Sequence, residues 1–315
     1  MGILKKISQV INFARTMDSR LALMSTLDDR LQKIQQSLGR IESSQLAMLN
    51  PRDFSKYEFQ VYSQWGEDGL IQYLIHKVEI DRLIFVEFGV QKYTESNTRF
   101  LLINNNWSGL VIDGTEQNIQ FIKNDPIYWR HNLKAEHAFI DKDNINALIK
   151  RSGITGDIGL LSVDIDGNDY WIWEAINVIN PRIVICEYNS LWGNKLAVTV
   201  PYTPTFTRTE AHSSNLYYGA SIVALNDLAN AKGYSLVGSN TAGNNVFFVR
   251  NDLLGNINVV TPETAWVQSK FRESRNAAGE LTFLTFEDRL AAVADVQLVH
   301  LSDGKQYKVR EIYDL

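Results

Sequence analysis

The chain has a single cysteine, Cys186, among its 315 residues, and that cysteine lies inside an apolar run. One thiol excludes intramolecular disulfides and any metal site built from several cysteines; the natural compartment is a reducing one, the cytoplasm. Long apolar runs are also missing, and none approaches the roughly 20 residues that span a bilayer. Lys5 and Lys6 are not followed by a continuous apolar stretch, and Arg15 interrupts what there is, so no signal peptide is expected. Positive charge is scarce. With 31 Lys and Arg against 36 Asp and Glu, a net charge of -5, the chain lacks the basic surplus of a protein that grips nucleic acid by its phosphates. Repeats and low-complexity segments are absent too. What is present, 45% hydrophobic and 21% charged residues, suffices for a sizeable core in one large or two modest domains.

Residues 1–50 stand apart: they contain no Pro, Trp or Tyr, and Gly39 is their one internal glycine. From Met24 the apolar positions run Met24, Leu27, Leu31, Ile34, Leu38, Ile41, then Gln45 and Met48. Alternating steps of three and four are the repeat of a coiled coil. Residues 20–49 are therefore expected to make a homo-oligomer, the alternative being a helix whose stripe packs on its own domain. The helix should end at Asn50–Pro51, because the residue before proline avoids the α region. Ahead of it, Ile3, Leu4, Ile7, Val10, Ile11 and Ala14 share a face, with Lys5, Lys6 and Arg15 toward the polar side. Such a helix suits peripheral contact with the inner face of a membrane, or a lead-in to the coiled coil.

Between residues 83 and 187 five short apolar runs each stop on an acid: Leu83–Glu87, Leu110–Asp113, Ala138–Asp141, Leu160–Asp164 and Ile183–Glu187. Runs of this kind read as buried parallel strands. Helical stretches alternate with them (98–104, 117–123, 145–151, 170–178), so the fold class is α/β with a mostly parallel sheet. A further helix over 219–232 precedes strands at 235–237 and 245–249 joined as an antiparallel hairpin. Ligands of open α/β sheets lie outside the carboxyl ends of the strands. The five acids therefore mark a rim and a site. The turn after the first strand has one glycine, Gly89, so the dinucleotide fingerprint is missing. Thr94, Ser96 and Asn97 offer hydroxyl and amide partners to an amino-acid group instead, and Asp113 suits ribose hydroxyls.

Four segments carry a resemblance: Tyr62-Ser-Gln-Trp-Gly-Glu-Asp-Gly, Val86-Glu-Phe-Gly-Val, Gly109-Leu-Val-Ile-Asp-Gly and Leu161-Ser-Val-Asp-Ile-Asp-Gly-Asn-Asp. In order and spacing, over about residues 57–250, the chain resembles the FkbM-type S-adenosylmethionine-dependent methyltransferases. The resemblance implies the Rossmann-like sheet of class I methyltransferases, parallel strands plus an antiparallel carboxy-terminal hairpin, and S-adenosyl-L-methionine as cofactor. It further implies that Glu87 and Gly89 line the methionine end, that Asp113 holds the ribose, that Asp141 lies beside the adenine, and that Gln64 approaches the methionine carboxylate. Proteins similar to FkbM act on polyketide, glycolipid and polysaccharide hydroxyls, so the expected acceptor is a sugar hydroxyl of a bacterial surface glycan or another small-molecule hydroxyl.

Deprotonating a hydroxyl needs a base or a metal. The candidates are Asp164, Glu187 and His212, the last in a polar loop able to cover the site. Asp164, Asp166 and Glu187 form a candidate oxygen-ligand set for Mg²⁺. Trp192, Tyr202, Phe206, Tyr217 and Tyr218 supply aromatic faces beside the acids, which suit a sugar ring. The expected organisation is a helix or coiled coil over 1–50, a methyltransferase domain over 51–252 and an extension over 253–315. The rival from another class is a non-catalytic coiled-coil scaffold.

Overall fold

The computed structural model describes residues 2–313. Among the first fourteen residues only the side chains of Lys6, Gln9 and Phe13 are described, so the face expected to meet a membrane lies outside the described residues. No helix among the described residues is long and apolar enough to cross a bilayer.

The strands are β1 (Ile84–Phe88), β2 (Ser108–Asp113), β3 (Leu133–His137), β4 (Gly156–Val163), β5 (Ile179–Glu187), β6 (Val198–Thr199), β7 (Tyr234–Ser239), β8 (Asn245–Arg250), β9 (Gln297–His300) and β10 (Lys305–Lys308). Seven of them form one sheet in the order β3-β2-β1-β4-β5-β8-β7. All neighbours are parallel except β8, which runs against both β5 and β7. Five parallel strands closed by an antiparallel hairpin are the sheet plan of class I methyltransferases, as expected.

The main helices are α1 (Gly2–Leu49), α2 (Glu67–Lys77), α3 (Arg99–Asn104), α4 (Glu116–Asn124), α5 (Pro126–Arg130), α6 (Ile145–Arg151), α7 (Asp169–Ala175), α8 (Arg208–Ala211) and α9 (Ile222–Lys232). Apolar side chains of α6, α7 and α9 cover one face of the sheet, against Val86, Leu110, Leu161, Val184 and Phe248. Those of α2, α3 and α4 cover the other, against Phe85, Val111, Leu160, Ile185 and Phe247. Burial on both faces is why the central strands read as unbroken apolar runs. Cys186 is buried within the first of these layers.

One strand is displaced from its expected place. Ala138–Asp141 is a loop, and the third strand is Leu133–His137, with Leu133 and Ala135 buried and Lys134 exposed. It lies at the sheet edge and pairs only with β2. An edge strand is only half covered, so it alternates in character. The residue beside Asp113 in register is accordingly His137, not Asp141.

The last 60 residues build onto the loop after β5. Strands β9 and β10 join β6 in a second small sheet. Trp192, Val198, Leu216, Val293, Leu298 and Val309 share a small core there. Further contacts tie residues 266–275 across the mouth of the main sheet: Lys270 N–H donates to the Ala242 carbonyl (3.0 Å), Arg275 N–H to the Ser214 carbonyl (3.1 Å), and Phe271 stacks on Trp65 (6.2 Å between ring centres).

Helix α1 runs unbroken to Leu49, and Asn50 leaves it at φ 44° ahead of Pro51, as the proline predicts. Its domain-facing side is not the heptad stripe. Gly39 is buried, and a methyl group placed on it would meet Val61 at 2.4 Å and Phe100 at 3.2 Å. Gln35 donates to the Val61 carbonyl and Gln36 to the Tyr62 hydroxyl, both at 2.7 Å. Leu31, Ile34, Leu38 and Ile41 remain 63%, 56%, 58% and 54% exposed. Packing of the stripe on its own domain is thereby excluded.

Candidate active site

The carboxyl ends of β1, β2, β4 and β5 open into one cavity of about 810 Å³. Of the residues singled out from the sequence, Gln64, Glu87, Gly89, Thr94, Asn97, Asp113, Asp164 and Glu187 line it. Asp141 and His212 do not. Asp141 accepts the backbone N–H groups of Asp143 (2.8 Å) and Asn144 (2.7 Å), capping the turn into α6. The cavity wall on that side is Ala138, Phe139 and Ile140. His212 turns its Nδ1 to Ser214 Oγ at 2.7 Å. The loop that carries it does cover the cavity, but through Phe206, Thr207, Arg208 and Thr209.

Around β1 and β2 the backbone is held by carboxylates. Glu87 accepts N–H groups from Asn97 (2.9 Å) and Thr98 (3.1 Å) and the Thr98 hydroxyl. Burial pushes its pKa up to about 7 against the pull of these donors. Glu87 thus shapes the wall by fixing the 89–98 turn. Asn97 is tied by its side-chain amide to Ser162 Oγ on β4 (3.1 Å). Gly89 sits at φ 72°, and a Cβ there would lie 1.7 Å from the Asp164 carbonyl oxygen. Only glycine permits both the left-handed turn and that approach. Asp113, buried at the end of β2, accepts from Gln91 N–H at Oδ2 (2.7 Å) and from Thr115 N–H (2.8 Å) and Asn118 Nδ2 (2.9 Å) at Oδ1. A carboxylate offers about four acceptor sites, so one site remains on Oδ2, and Asp113 lines the cavity.

The acids of the Tyr62–Gly69 segment work behind the wall. Asp68 Oδ2 accepts the N–H groups of Val61 (2.8 Å), Tyr62 (2.6 Å) and Ser63 (2.8 Å), and burial raises its pKa to about 6 despite them. Glu67 accepts from Trp65 N–H (2.9 Å) and from the side-chain amides of Asn240 (2.7 Å) and Asn245 (2.9 Å). The segment therefore anchors the β7–β8 hairpin and presents Gln64 at the cavity mouth.

At the ends of β4 and β5 the carboxylates crowd. Oxygens of Asp164, Asp169 and Glu187 lie within 4.8 Å of one another. Burial first, then the neighbouring acids Asp166, Asp169 and Glu87, hold Asp164 well above the ordinary carboxylate range. Glu187 is raised in the same way by burial and then by Asp164, Asp166 and Asp169. Asp169, which accepts N–H groups from Ile165 (2.8 Å) and Gly167 (2.9 Å), is raised by burial to about 6. The residue that completes this cluster is Asp169, not Asp166. Asp166 also lines the cavity but is exposed and pairs with Arg208 at 2.9 Å. Three carboxylates this close can share protons or hold an oxygen-loving divalent cation.

Buried polar atoms lacking any partner collect here. Ser96 Oγ, Asn168 Oδ1, Glu187 Oε2, Thr207 Oγ1 and Asn245 Oδ1 are all of this kind, and all five residues line the cavity. Unpaired buried polar groups are costly, and each calls for an explanation. Ser96 lies on the β1 side, the other four around β4, β5 and the covering loop. Asn168, Arg208, Asn245 and Glu273 were not found from the sequence. Asn245 stands opposite Glu187 in the β5–β8 register, and Glu273 comes from the carboxy-terminal segment. No local pattern announces such meetings; the acid run at 164–169 was the one signal near Asn168.

No protein-family model matches the chain, and no curated protein sequence matches it. Solved structures overlap it in part. The N-terminal domain of EvdMO1 with SAH bound shares 10% identity over 58% of this chain and 80% of its own, with a TM-score of 0.39. An S-adenosylmethionine-dependent methyltransferase from Clostridium acetobutylicum shares 9% over 63% and 92%, with a TM-score of 0.36. PKMT2 from Rickettsia typhi in complex with AdoHcy shares 11% over 61% and 54%, with a TM-score of 0.38. Overlap at this level carries no argument about chemistry, and the fold assignment rests on the strand order itself.

Proposed function

We propose that this chain is an S-adenosylmethionine-dependent O-methyltransferase of the FkbM type that methylates a sugar hydroxyl in a bacterial surface glycan or related glycoconjugate. The observation that carries the reading is the cavity at the strand ends, which pairs a spare acceptor site on Asp113 with five buried polar atoms awaiting partners.

The residues fit the cofactor. Asp113 Oδ2 has room for one ribose hydroxyl, Phe139 and Ile140 offer an apolar wall for the adenine in place of Asp141, and the Gly89–Asn97 turn with Ser96 Oγ and Gln64 meets the methionine end. When bound, S-adenosylmethionine supplies a methyl group on sulfonium sulfur, open to in-line displacement by an oxygen nucleophile. Positioning supplies much of the rate in such a transfer. In this reading Asp164, whose proton affinity is raised by burial and by the neighbouring acids, accepts the hydroxyl proton, and Glu187 orients the acceptor. The same group with Asp169 is the candidate site for a divalent cation. The exposed stripe of α1 supports homo-oligomers, and the single buried thiol suits the cytoplasm.

The test is methyl transfer from labelled S-adenosylmethionine to a panel of glycan acceptors, with Asp164→Asn as control. That variant should lose most of kcat while binding cofactor normally. Inhibition by chelator that Mg²⁺ reverses assigns the proton's removal to a metal-assisted site; indifference to chelator assigns it to Asp164 alone. A fully active Asp164→Asn enzyme would overturn the role given to this residue.

A further inference from the structure

Two amide oxygens in the acceptor half of the cavity, Asn168 Oδ1 and Asn245 Oδ1, are buried acceptors without a donor, and Thr207 Oγ1 and Glu187 Oε2 nearby are unpaired as well. Neither amide can be turned over to relieve this. Asn168 Nδ2 donates to the Thr203 carbonyl (2.8 Å) and Asn245 Nδ2 to the Glu67 carboxylate (2.9 Å), so a flip would set oxygen against oxygen. A group that completes these two amide oxygens must bring hydrogens to them.

The one cation on this side is already engaged. Arg208 donates through Nε to the Asn215 carbonyl (2.6 Å) and through Nη1 to Asp166 (2.9 Å), and its Nη2 lies 3.9 Å from Glu273. Its guanidinium carbon lies 4.1 Å from the centre of the Tyr218 ring. Glu273 is itself fixed by Asn215 Nδ2 (3.3 Å) and Arg275 (3.0 Å). The other cation lining the cavity, Lys92, lies at the cofactor end over the Phe121 ring. Carboxylates outnumber cations on the acceptor wall, and an anion entering it would meet oxygen acceptors and a neutralised arginine.

We infer that the acceptor is a neutral or amino sugar ring, that rings bearing a carboxylate or phosphate are rejected, and that Asp166 together with Glu273 of the carboxy-terminal segment enforces the choice by engaging Arg208. This rests on the cavity being a methyl-transfer site. It gives the carboxy-terminal segment a role in specificity.

Three rings differing in charge test it on the full-length protein saturated with S-adenosylhomocysteine, chelator present: methyl glucoside, glucosamine and glucuronate. Binding is followed by saturation-transfer NMR and competition. The glucoside and glucosamine should bind, and glucuronate at least about tenfold more weakly. Glu273→Arg should raise glucuronate binding about tenfold, while Glu273→Gln gives an intermediate gain. Glucuronate binding the unaltered protein as well as the glucoside, or an order of preference unmoved in both variants, would overturn the inference. So would binding of none of the three rings to a protein that still takes up S-adenosylhomocysteine. Failure of S-adenosylhomocysteine itself to bind would instead bring down the methyltransferase reading.

Discussion

Asp113→Ala separates the cofactor site from the framework around it. The carboxylate has three protein donors, the N–H groups of Gln91 and Thr115 and the Asn118 amide, and one free acceptor site. Gln91 and Thr115 are exposed, so water can take over the abandoned N–H groups. The stability cost should be that of ordinary hydrogen bonds lost to water, about 1–2 kcal/mol in sum. Affinity is a different matter. A ribose hydroxyl on a charged acceptor is worth about 1.5–3 kcal/mol, which at about 1.4 kcal/mol per tenfold weakens binding by roughly 10- to 150-fold. Because three of its four sites are taken, Asp113 can serve one hydroxyl rather than two, so the loss should sit toward the lower part of this range. Isothermal calorimetry with S-adenosylhomocysteine gives the affinity, and urea denaturation the stability. A variant that binds as tightly as the unaltered protein would refute the ribose assignment; one that unfolds outright would show that Asp113 serves the framework first.

The stripe of α1 predicts assembly. Each seam residue buried between helices contributes about 1.5–3 kcal/mol, so Leu31→Glu with Leu38→Glu should convert an oligomer to a monomer by light scattering and leave cofactor binding untouched. Removing residues 1–50 is the poorer experiment, since it uncovers the buried Phe59, Val61 and Phe100. Gly89→Ala should cost about 2–5 kcal/mol, from the left-handed conformation and the contact with the Asp164 carbonyl; an unchanged urea midpoint would contradict the geometry. Stability should fall as pH rises. Glu87 moves from 4.5 to about 7, and Asp68 and Asp169 from 3.8 to about 6. Below the lower values both states hold the protons. Above them the unfolded chain releases protons that the folded one retains, and stability drains away until the raised values are passed. The melting temperature should therefore decline between about pH 4.5 and 7, and Asp68→Asn should flatten part of the slope; a melting temperature rising over that window would be the contrary result.

What could be read in the sequence follows the degree of burial. Strands β1, β2, β4 and β5 are covered on both faces, and their apolar runs ended where the sheet ends, so Glu87, Gly89, Asp113, Asp164 and Glu187 fell on the cavity wall. The half-covered β3 alternates, and an apolar loop beside it took its place, drawing Asp141 into the rim by mistake. His212 was picked for its chemistry and its loop; its ring bonds Ser214 and does not line the cavity. Asn245 and Glu273 reach the wall from distant parts of the chain, through a strand register and a tail contact that no short pattern encodes. The heptad spacing was plain, yet only the structure shows which side of α1 the domain occupies.

That choice of side sets a distance. Described side chains of α1 from Arg15 to Leu31 are all exposed, and contact with the domain begins near Gln35. At 1.5 Å per residue, the stretch ahead of Gln35 extends about 50 Å beyond the last point of support. A bundle of such helices would be a stiff stalk with the domains carried at its far end. Whatever the amino-terminal end touches, the domain stands at arm's length from it. A molecule within a few ångströms of that end would be out of the cavity's reach, while one projecting several nanometres from it would come level with the domain.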